Sequence, residues 1–284
     1  MDLEGRRMRL MVCSQGDVAS VNIRDALLTL ADWVTEGTFH GHPVLRCGDL
    51  LMVTIEEVHI YADAIDELVE AGTGHAVDEV IFLSRHRAAS GKPSLTVHPI
   101  GNWGQADYGG REGTLVPPAP HLMTSLLRSV RDAAEELSYD VTFEVTHHGP
   151  LLTRPTLFVE IGSGESTWGN MDAAVAIANS LLKVNVQEYP VAIGVGGGHY
   201  APRYTDVALS KRISFGHMLP GYAIDLSDPN DLRNKIEMAL SVSGAKLAYI
   251  HKKSMKRSEA TMVAATIRDL GAEIVDSSDL EDIA

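Results

Sequence analysis

Cysteine is nearly absent from this chain of 284 residues. The two that occur, Cys13 and Cys47, form no Cys-x-x-Cys pair, which excludes a disulfide scaffold and a zinc ribbon. Cys13 closes the first apolar run and reads as a buried filler rather than a nucleophile. No apolar stretch is long enough to span a bilayer. The opening Met-Asp-Leu-Glu-Gly-Arg-Arg (1–7) leads into strand-like residues rather than a signal sequence, so the expected compartment is the cytoplasm. Positive charge is scarce as well: 24 Lys and Arg against 38 Asp and Glu give a net charge of −14. This argues against broad attraction to nucleic acid and throws any such contact onto local patches. Familiar catalytic signatures are missing too. There is no Gly-x-Ser-x-Gly elbow and no His-Glu-x-x-His helix, so a serine hydrolase of the elbow type and the classical zinc helix are set aside. Gly-Val-Gly-Gly-Gly-His (194–199) lacks the Gly-Lys-Ser/Thr ending of a phosphate loop. His199 also takes the place of the third Rossmann glycine, and Pro202 stands where the helix should run. These glycines read instead as a tight turn exposing His199, or as amides that approach a ligand.

What the chain does have is histidine at the ends of apolar runs. Six of the twelve, His86, His98, His147, His148, His199 and His217, fall there, beside glycine, proline or an acidic residue. In open α/β sheets ligands gather at the carboxyl ends of strands, and imidazole is both a common metal ligand and an acid–base group near neutral pH. One convergent polar site, catalytic or metal-bound, is therefore expected.

The length and the 45 % apolar, 22 % charged composition suit a soluble globular protein. Periodicity predicts strands over residues 8–13, 50–55, 58–61, 79–84, 94–100, 141–146, 156–162, 191–195, 213–216, 246–250 and 273–275. Helices are predicted from an N-cap at Asp17 through Leu30, and over 63–71, 121–137, 168–184, 229–242 and 258–270, with Gly271 as a C-terminal stop. Alternating strands and helices imply an α/β fold, a mixed, mainly parallel sheet with helices on both faces. One domain over 8–284 is expected, preceded by an extension at 1–7. The glycine-rich segment 101–120 is too long for an idle connection, and Trp103, Asp107 and Tyr108 argue that it is ordered and functional.

Glu-Val-Thr-His-His-Gly-Pro (144–150) is the sharpest motif. Val141, Phe143 and Val145 would share one strand face, with Thr142, Glu144 and Thr146 on the other. Fully extended, Glu144 and His148 would stand about 13 Å apart at roughly 3.3 Å per residue, so one ion could join them only across a bend. His147 reads either as a core histidine or as part of the site. Glu160 interrupts an apolar run and should be paired with a cation, unless its strand is an edge facing water. After Ser84, Arg85 or Arg87 could clamp a phosphate, and His86 could ligate a metal or move protons. Lys252, Lys253, Lys256 and Arg257 form the main basic patch, with Lys211 and Arg212 a second; a solvated loop and helix start is the plainer reading.

The ordered set Ser-Arg-His (84–86), Thr-Val-His-Pro-Ile-Gly-Asn (96–102), Ala-Asp-Tyr-Gly-Gly (106–110), Glu-Val-Thr-His-His-Gly-Pro (144–150), Glu-Ile-Gly-Ser (160–163), Val-Gly-Gly-Gly-His-Tyr-Ala-Pro-Arg (195–203) and Phe-Gly-His (215–217) resembles the archaeal and plant type of D-aminoacyl-tRNA deacylase. The resemblance implies a zinc-dependent esterase that removes D-amino acids, D-tyrosine among them, from mischarged tRNA. It also implies a core similar to the phosphorylase/hydrolase-like fold of peptidyl-tRNA hydrolase. The zinc ligands are expected among His148, Glu160, His199 and His217, with His86 a further candidate. Glu144, His147 and His86 are the expected catalytic residues. Arg85, His98, Asn102, Asp107, Gly196, Gly197, Gly198 and Arg203 would bind substrate, the glycine amides stabilising an oxyanion, and the 252–257 patch would bind tRNA. The alternatives are a metal-dependent peptidase or amidohydrolase, and a tRNA-binding module with structural histidines.

Overall fold

A computed structural model describes residues 8–283; the expected extension at 1–7 lies outside the described residues. Runs buried at nearly every position become the interior strands β1 (Met8–Ser14), β4 (Leu50–Ile55), β5 (Val77–Arg85) and β8 (Thr156–Gly162). Side chains buried on both faces are the mark of a covered parallel sheet. These four pair in parallel in the order β4-β1-β5-β8. A hairpin of β2 (Val34–Phe39) and β3 (His42–Cys47) extends the sheet antiparallel beyond β4. On the other side β6 (Ser94–Pro99) runs antiparallel to β8, and β7 (Asp140–Phe143) parallel to β6.

The fold is thus mixed α/β and mainly parallel, but in place of one sheet there are two. β9 (Val191–Val195), β10 (Ser214–Leu219), β11 (Leu247–Ile250) and β12 (Glu273–Val275) form an all-parallel second sheet, ordered β10-β9-β11-β12. The helices are α1 (Val18–Leu30), α2 (Ile65–Thr73), α3 (Pro120–Ala133), α4 (Glu165–Trp168), α5 (Met171–Lys183), α6 (Pro202–Ser210), α7 (Pro229–Ser243) and α8 (Arg257–Asp269). One apolar cluster joins α1, α3, α5 and α6 to strands of both sheets, with Phe143 of β7 packing on Phe215 of β10. Ile65 and Val69 of α2 cover the opposite face of the first sheet.

Asp17 caps α1 as its sequence position predicts, its Oδ1 accepting from the amides of Ala19 and Ser20. Ile23 and Leu27 of α1 are buried, while Leu28 and Leu30 are exposed. Pro202 does not block a helix but begins α6. At the first helical position proline removes an N–H that would have no partner, and its fixed φ already suits the turn. Residues 58–61 are not a strand: His59–Tyr61 form one turn of 3-10 helix. The β2–β3 hairpin escaped the sequence reading because only Phe39 and Val44 of it are buried.

The 101–116 loop is pinned at several points. Trp103 Nε1 donates to Thr146 O at 3.0 Å and Asn102 Nδ2 to Gly109 O at 2.9 Å. Gly109 has φ +85, and a Cβ there would stand 1.7 Å from Ile60 O, so only glycine lets this loop lie on the turn at 59–61.

Candidate active site

Two buried carboxylates anchor the site. Glu160 sits near the carboxyl end of β8, on the face opposite Val159 and Ile161, because strand side chains alternate. Its Oε1 accepts from Ser84 Oγ at 2.8 Å and its Oε2 from Thr96 Oγ1 at 3.4 Å, across from it on β6. His86 Nδ1 lies 3.4 Å and His98 Nε2 3.7 Å from Glu160 Oε2. Burial pushes the Glu160 carboxyl up, but His86 and His98 more than offset it and hold it well below the usual carboxylate range. Glu144 follows β7, which ends at Phe143 rather than running to Thr146. His86 Nδ1 and His199 Nε2 come within 3.0 Å of its oxygens and His147 Nε2 within 3.4 Å. None of the three meets it along a hydrogen-bonding direction, so both Glu144 oxygens are buried without a hydrogen-bond partner.

The expected faces of residues 141–146 hold: Val141, Phe143 and Val145 all enter the core, while Glu144 turns to the site. The bend expected between Glu144 and His148 falls at the end of the motif, with left-handed backbone at His148 (φ 26) and Gly149 (φ 110). It sets the His147 ring edge-on to His148 and tilted over His98, with ring centroids 4.2 Å apart in both pairs. His147 Nδ1 faces Val145 O at 2.8 Å and His98 Nδ1 faces Pro99 O at 3.2 Å. A carbonyl only accepts, so each Nδ1 carries the proton and each Nε2 is left to face the cluster. His98 Nε2 and His148 Nδ1 are buried without hydrogen-bond partners.

Burial lowers both His147 and His148, the latter to about 3, and neighbouring imidazoles add to the effect. His86 and His98 go the other way: burial depresses them, but Glu160 and Glu144 raise them above the ordinary value. Two buried carboxylates call for compensating positive charge, from two imidazolium protons or from one dication. Three groups each offer ligand atoms within 4.8 Å of one another: His98 with His147 and His148; His86 with Glu144 and His199; and His98 with Glu144 and Glu160. Buried nitrogen and oxygen atoms without partners, in nitrogen-rich sets with a carboxylate at hand, fit a zinc ion.

This cluster floors a cavity of about 860 Å³. The sequence pattern of the D-aminoacyl-tRNA deacylase family matches residues 73–275. A protein of Methanosarcina mazei named D-aminoacyl-tRNA deacylase is 38 % identical over 281 residues, covering 96 % of this chain and 93 % of that one. The chain belongs to this family. The deacylase of Pyrococcus furiosus is 35 % identical over 272 residues, 94 % of this chain and 99 % of its own. The chain spans only 57 % of the relative from Methanococcoides burtonii, which is 38 % identical. A solved structure described as a conserved protein of unknown function superposes with a TM-score of 0.86, at 33 % identity and 96 % coverage of both chains.

Within this deacylase-family site His86, His147, His148, Glu160, His199, Arg85, Asn102 and Asp107 all line the cavity. Five expectations change. His217 is not with the metal-capable groups: Nε2 donates to Val116 O and Nδ1 accepts from Thr146 Oγ1, both at 3.0 Å, so neither nitrogen is available. His98, expected to touch substrate, is fully buried inside the cluster. Arg203 bonds Tyr249 and Ser277 and does not line the cavity. The amides of Gly196 and Gly197 already donate to Leu219 O and Ser254 Oγ, which removes both from the oxyanion role and leaves Gly198. Glu144 is also displaced as a direct base, since it is fully buried behind the lining residues.

Arg85 and Arg87 stack on Trp168 at 5.1 and 5.0 Å. The patch at 252–257 is exposed and adjoins the glycine loop through the bond from Gly197 to Ser254. The sequence reading missed His59 and Tyr200. Ser84 Oγ gives its only proton to Glu160, so His59 Nε2 must donate to Ser84 at 2.9 Å. Burial lowers His59 to about 4. Tyr200 OH lies 2.9 Å from His86 Nε2. His59 was hidden because residues 58–61 resemble a strand; Tyr200 could have been found as the neighbour of His199.

Proposed function

We propose that this protein hydrolyses the ester joining a D-amino acid to the 3′ end of tRNA, and that it does so with zinc. The observation that carries the reading is the set of buried atoms without partners, His98 Nε2, His148 Nδ1 and both Glu144 oxygens, gathered beside Glu160 beneath the floor of a cavity in a chain of this family. Its volume of about 860 Å³ suits a terminal aminoacyl-nucleoside, with the remaining RNA outside.

His98, His147 and His148 would hold the ion, with Glu144 and Glu160 balancing its charge. Bound zinc supplies Lewis-acid polarisation of a carbonyl and brings the pKa of water near 7. The remaining work belongs to the chain. His199 lines the cavity with Nε2 at 3.0 Å from Glu144. That buried carboxylate stabilises the imidazolium formed when His199 accepts a proton from the attacking water. The same proton then returns to the leaving ribose oxygen. Ser84 and Thr96 fix Glu160, while Arg85, over Trp168, offers a cation to a phosphate.

The test is incubation of purified protein with D- and L-tyrosyl-tRNA, before and after chelation, with metal content measured. Release of D-tyrosine alone, lost on chelation and restored by zinc, is expected. Full turnover by protein free of metal would overturn the zinc reading, and inertness toward every D-aminoacyl-tRNA would overturn the substrate. Equal cleavage of a free D-tyrosine amide would favour an amidohydrolase.

A further inference from the structure

Large exposed apolar side chains are few, yet three tyrosines among them stand at the cavity: Tyr61 at 60 %, Tyr108 at 63 % and Tyr222 at 65 % exposure. They come from three separate segments. Tyr61 ends the turn at 59–61 and Tyr108 belongs to the glycine-rich loop; these two segments touch where Gly109 lies against Ile60 O. Tyr222 lies in the one-turn helix Gly221–Ala223. It lines the same cavity as His199. Exposing one such ring needs no explanation, but three around one mouth call for a ligand with flat faces.

We infer that Tyr61, Tyr108 and Tyr222 form a stacking rim for the unpaired 3′-terminal nucleotides of the aminoacyl-tRNA. The inference rests on the deacylase reading above and adds the residues that grip the RNA. Unpaired bases expose their π-faces, and aromatic side chains bind them with little regard to sequence, as a substrate end common to many tRNAs requires. A direct path also leads from the rim to the basic patch. Gly221 N donates to Gly197 O at 2.9 Å, Gly197 N donates to Ser254 Oγ at 2.8 Å, and Ser254 closes the turn that carries Lys252 and Lys253. The acceptor end therefore enters past Tyr222, and the phosphates behind it meet the lysines. A small stacking rim also explains how a chain of net charge −14 holds RNA, because stacking adds affinity without phosphate neutralisation.

The test replaces each ring by leucine, Tyr61→Leu, Tyr108→Leu and Tyr222→Leu, singly and together. KM and kcat are read on D-tyrosyl-tRNA. In parallel, an uncharged RNA hairpin with an unpaired 3′ CCA end, its terminal adenine replaced by 2-aminopurine, reports stacking by quenching. Removing each stack is expected to raise KM about tenfold and to relieve part of the quenching, while the slope of log KM against log salt stays that of wild type. Unchanged KM and quenching in the triple variant, with wild type active on D-tyrosyl-tRNA, would overturn the rim and leave the deacylase reading standing. Inactive wild type that still quenches the hairpin through these tyrosines would instead support the rim and overturn the deacylase reading. A flattened salt slope would mean that the tyrosines act only by placing the phosphates, which also overturns stacking.

Discussion

His217→Gln should flatten the acid limb of stability without touching metal content. His217 is fully buried as a neutral imidazole whose two nitrogens are both satisfied, and burial lowers its pKa to about 3 from the ordinary 6.5. The folded protein therefore resists the proton that the unfolded chain accepts. Stability from this group is whole above the unfolded pKa and drains away as pH falls through it, levelling off only near the folded value. From pH 7.5 to pH 5 this amounts to about 2 kcal/mol, of the order of one whole buried hydrogen bond. His59 and His148 add terms of the same sign, and His86 and His98, being raised, add terms of the opposite sign. The comparison must therefore be between wild type and variant at each pH. Glutamine cannot titrate. Its cost at pH 7.5, about 1–3 kcal/mol for imperfectly replaced bonds, should shrink by about 2 kcal/mol at pH 5. Urea midpoints at half-unit steps of pH, with m unchanged, read this directly. Parallel stability curves would refute the buried neutral imidazole. Where the wild type binds zinc as proposed, loss of that zinc in the variant would refute its separation from the ligand groups.

Glu144→Gln keeps the shape but removes the charge behind His199, and should lower kcat about 10²- to 10⁴-fold with the circular dichroism of wild type; turnover within threefold would show that His199 works unaided. Lys252→Ala with Lys253→Ala should raise KM for tRNA and flatten the log–log salt slope by about 0.7–0.9 for each phosphate that is no longer neutralised; an unchanged slope would place the tRNA elsewhere. Gly109→Ala drives a Cβ to 1.7 Å from Ile60 O and should lift the 101–116 loop from the turn at 59–61. Limited proteolysis should then cut that loop faster than in wild type, and an identical cleavage pattern would count against the close approach.

The parts of the fold legible in the sequence are those where burial and pattern agree. Residues 156–162, 191–195 and 273–275 are strands at the predicted limits, because apolar runs between turn residues leave little choice. The second sheet was not legible. Periodicity says that residues 191–195 are a buried strand, and nothing in it says beside which strand they lie. Similarly, the histidines could be placed at strand ends, yet which of them meet depended on the left-handed backbone of His148 and on two carbonyls, Val145 O and Pro99 O, that orient two rings. His217 follows the same sequence rule as His86 and ends in the wrong place, because Thr146 and Val116 claim both its nitrogens.

Glu160 shows what the sequence could decide and what it could not. A lone carboxylate in an apolar strand had to be either paired or facing water, and the strand order settles which. β8 lies between β5 and β6 rather than at an edge, so Glu160 meets Ser84 of one neighbour and Thr96 of the other. Charge buried in this way costs several kcal/mol unless compensated, and such a cost persists where the charge has work to do. The hydroxyls satisfy part of the carboxylate, while His86 and His98 or a bound dication must supply the rest. It follows that Glu160 and the ion would stabilise one another: removing the metal should leave the two imidazoles to take up protons in its place. The metal-free protein should therefore remain folded at neutral pH, yet lose stability on alkalinisation sooner than the zinc-loaded protein does.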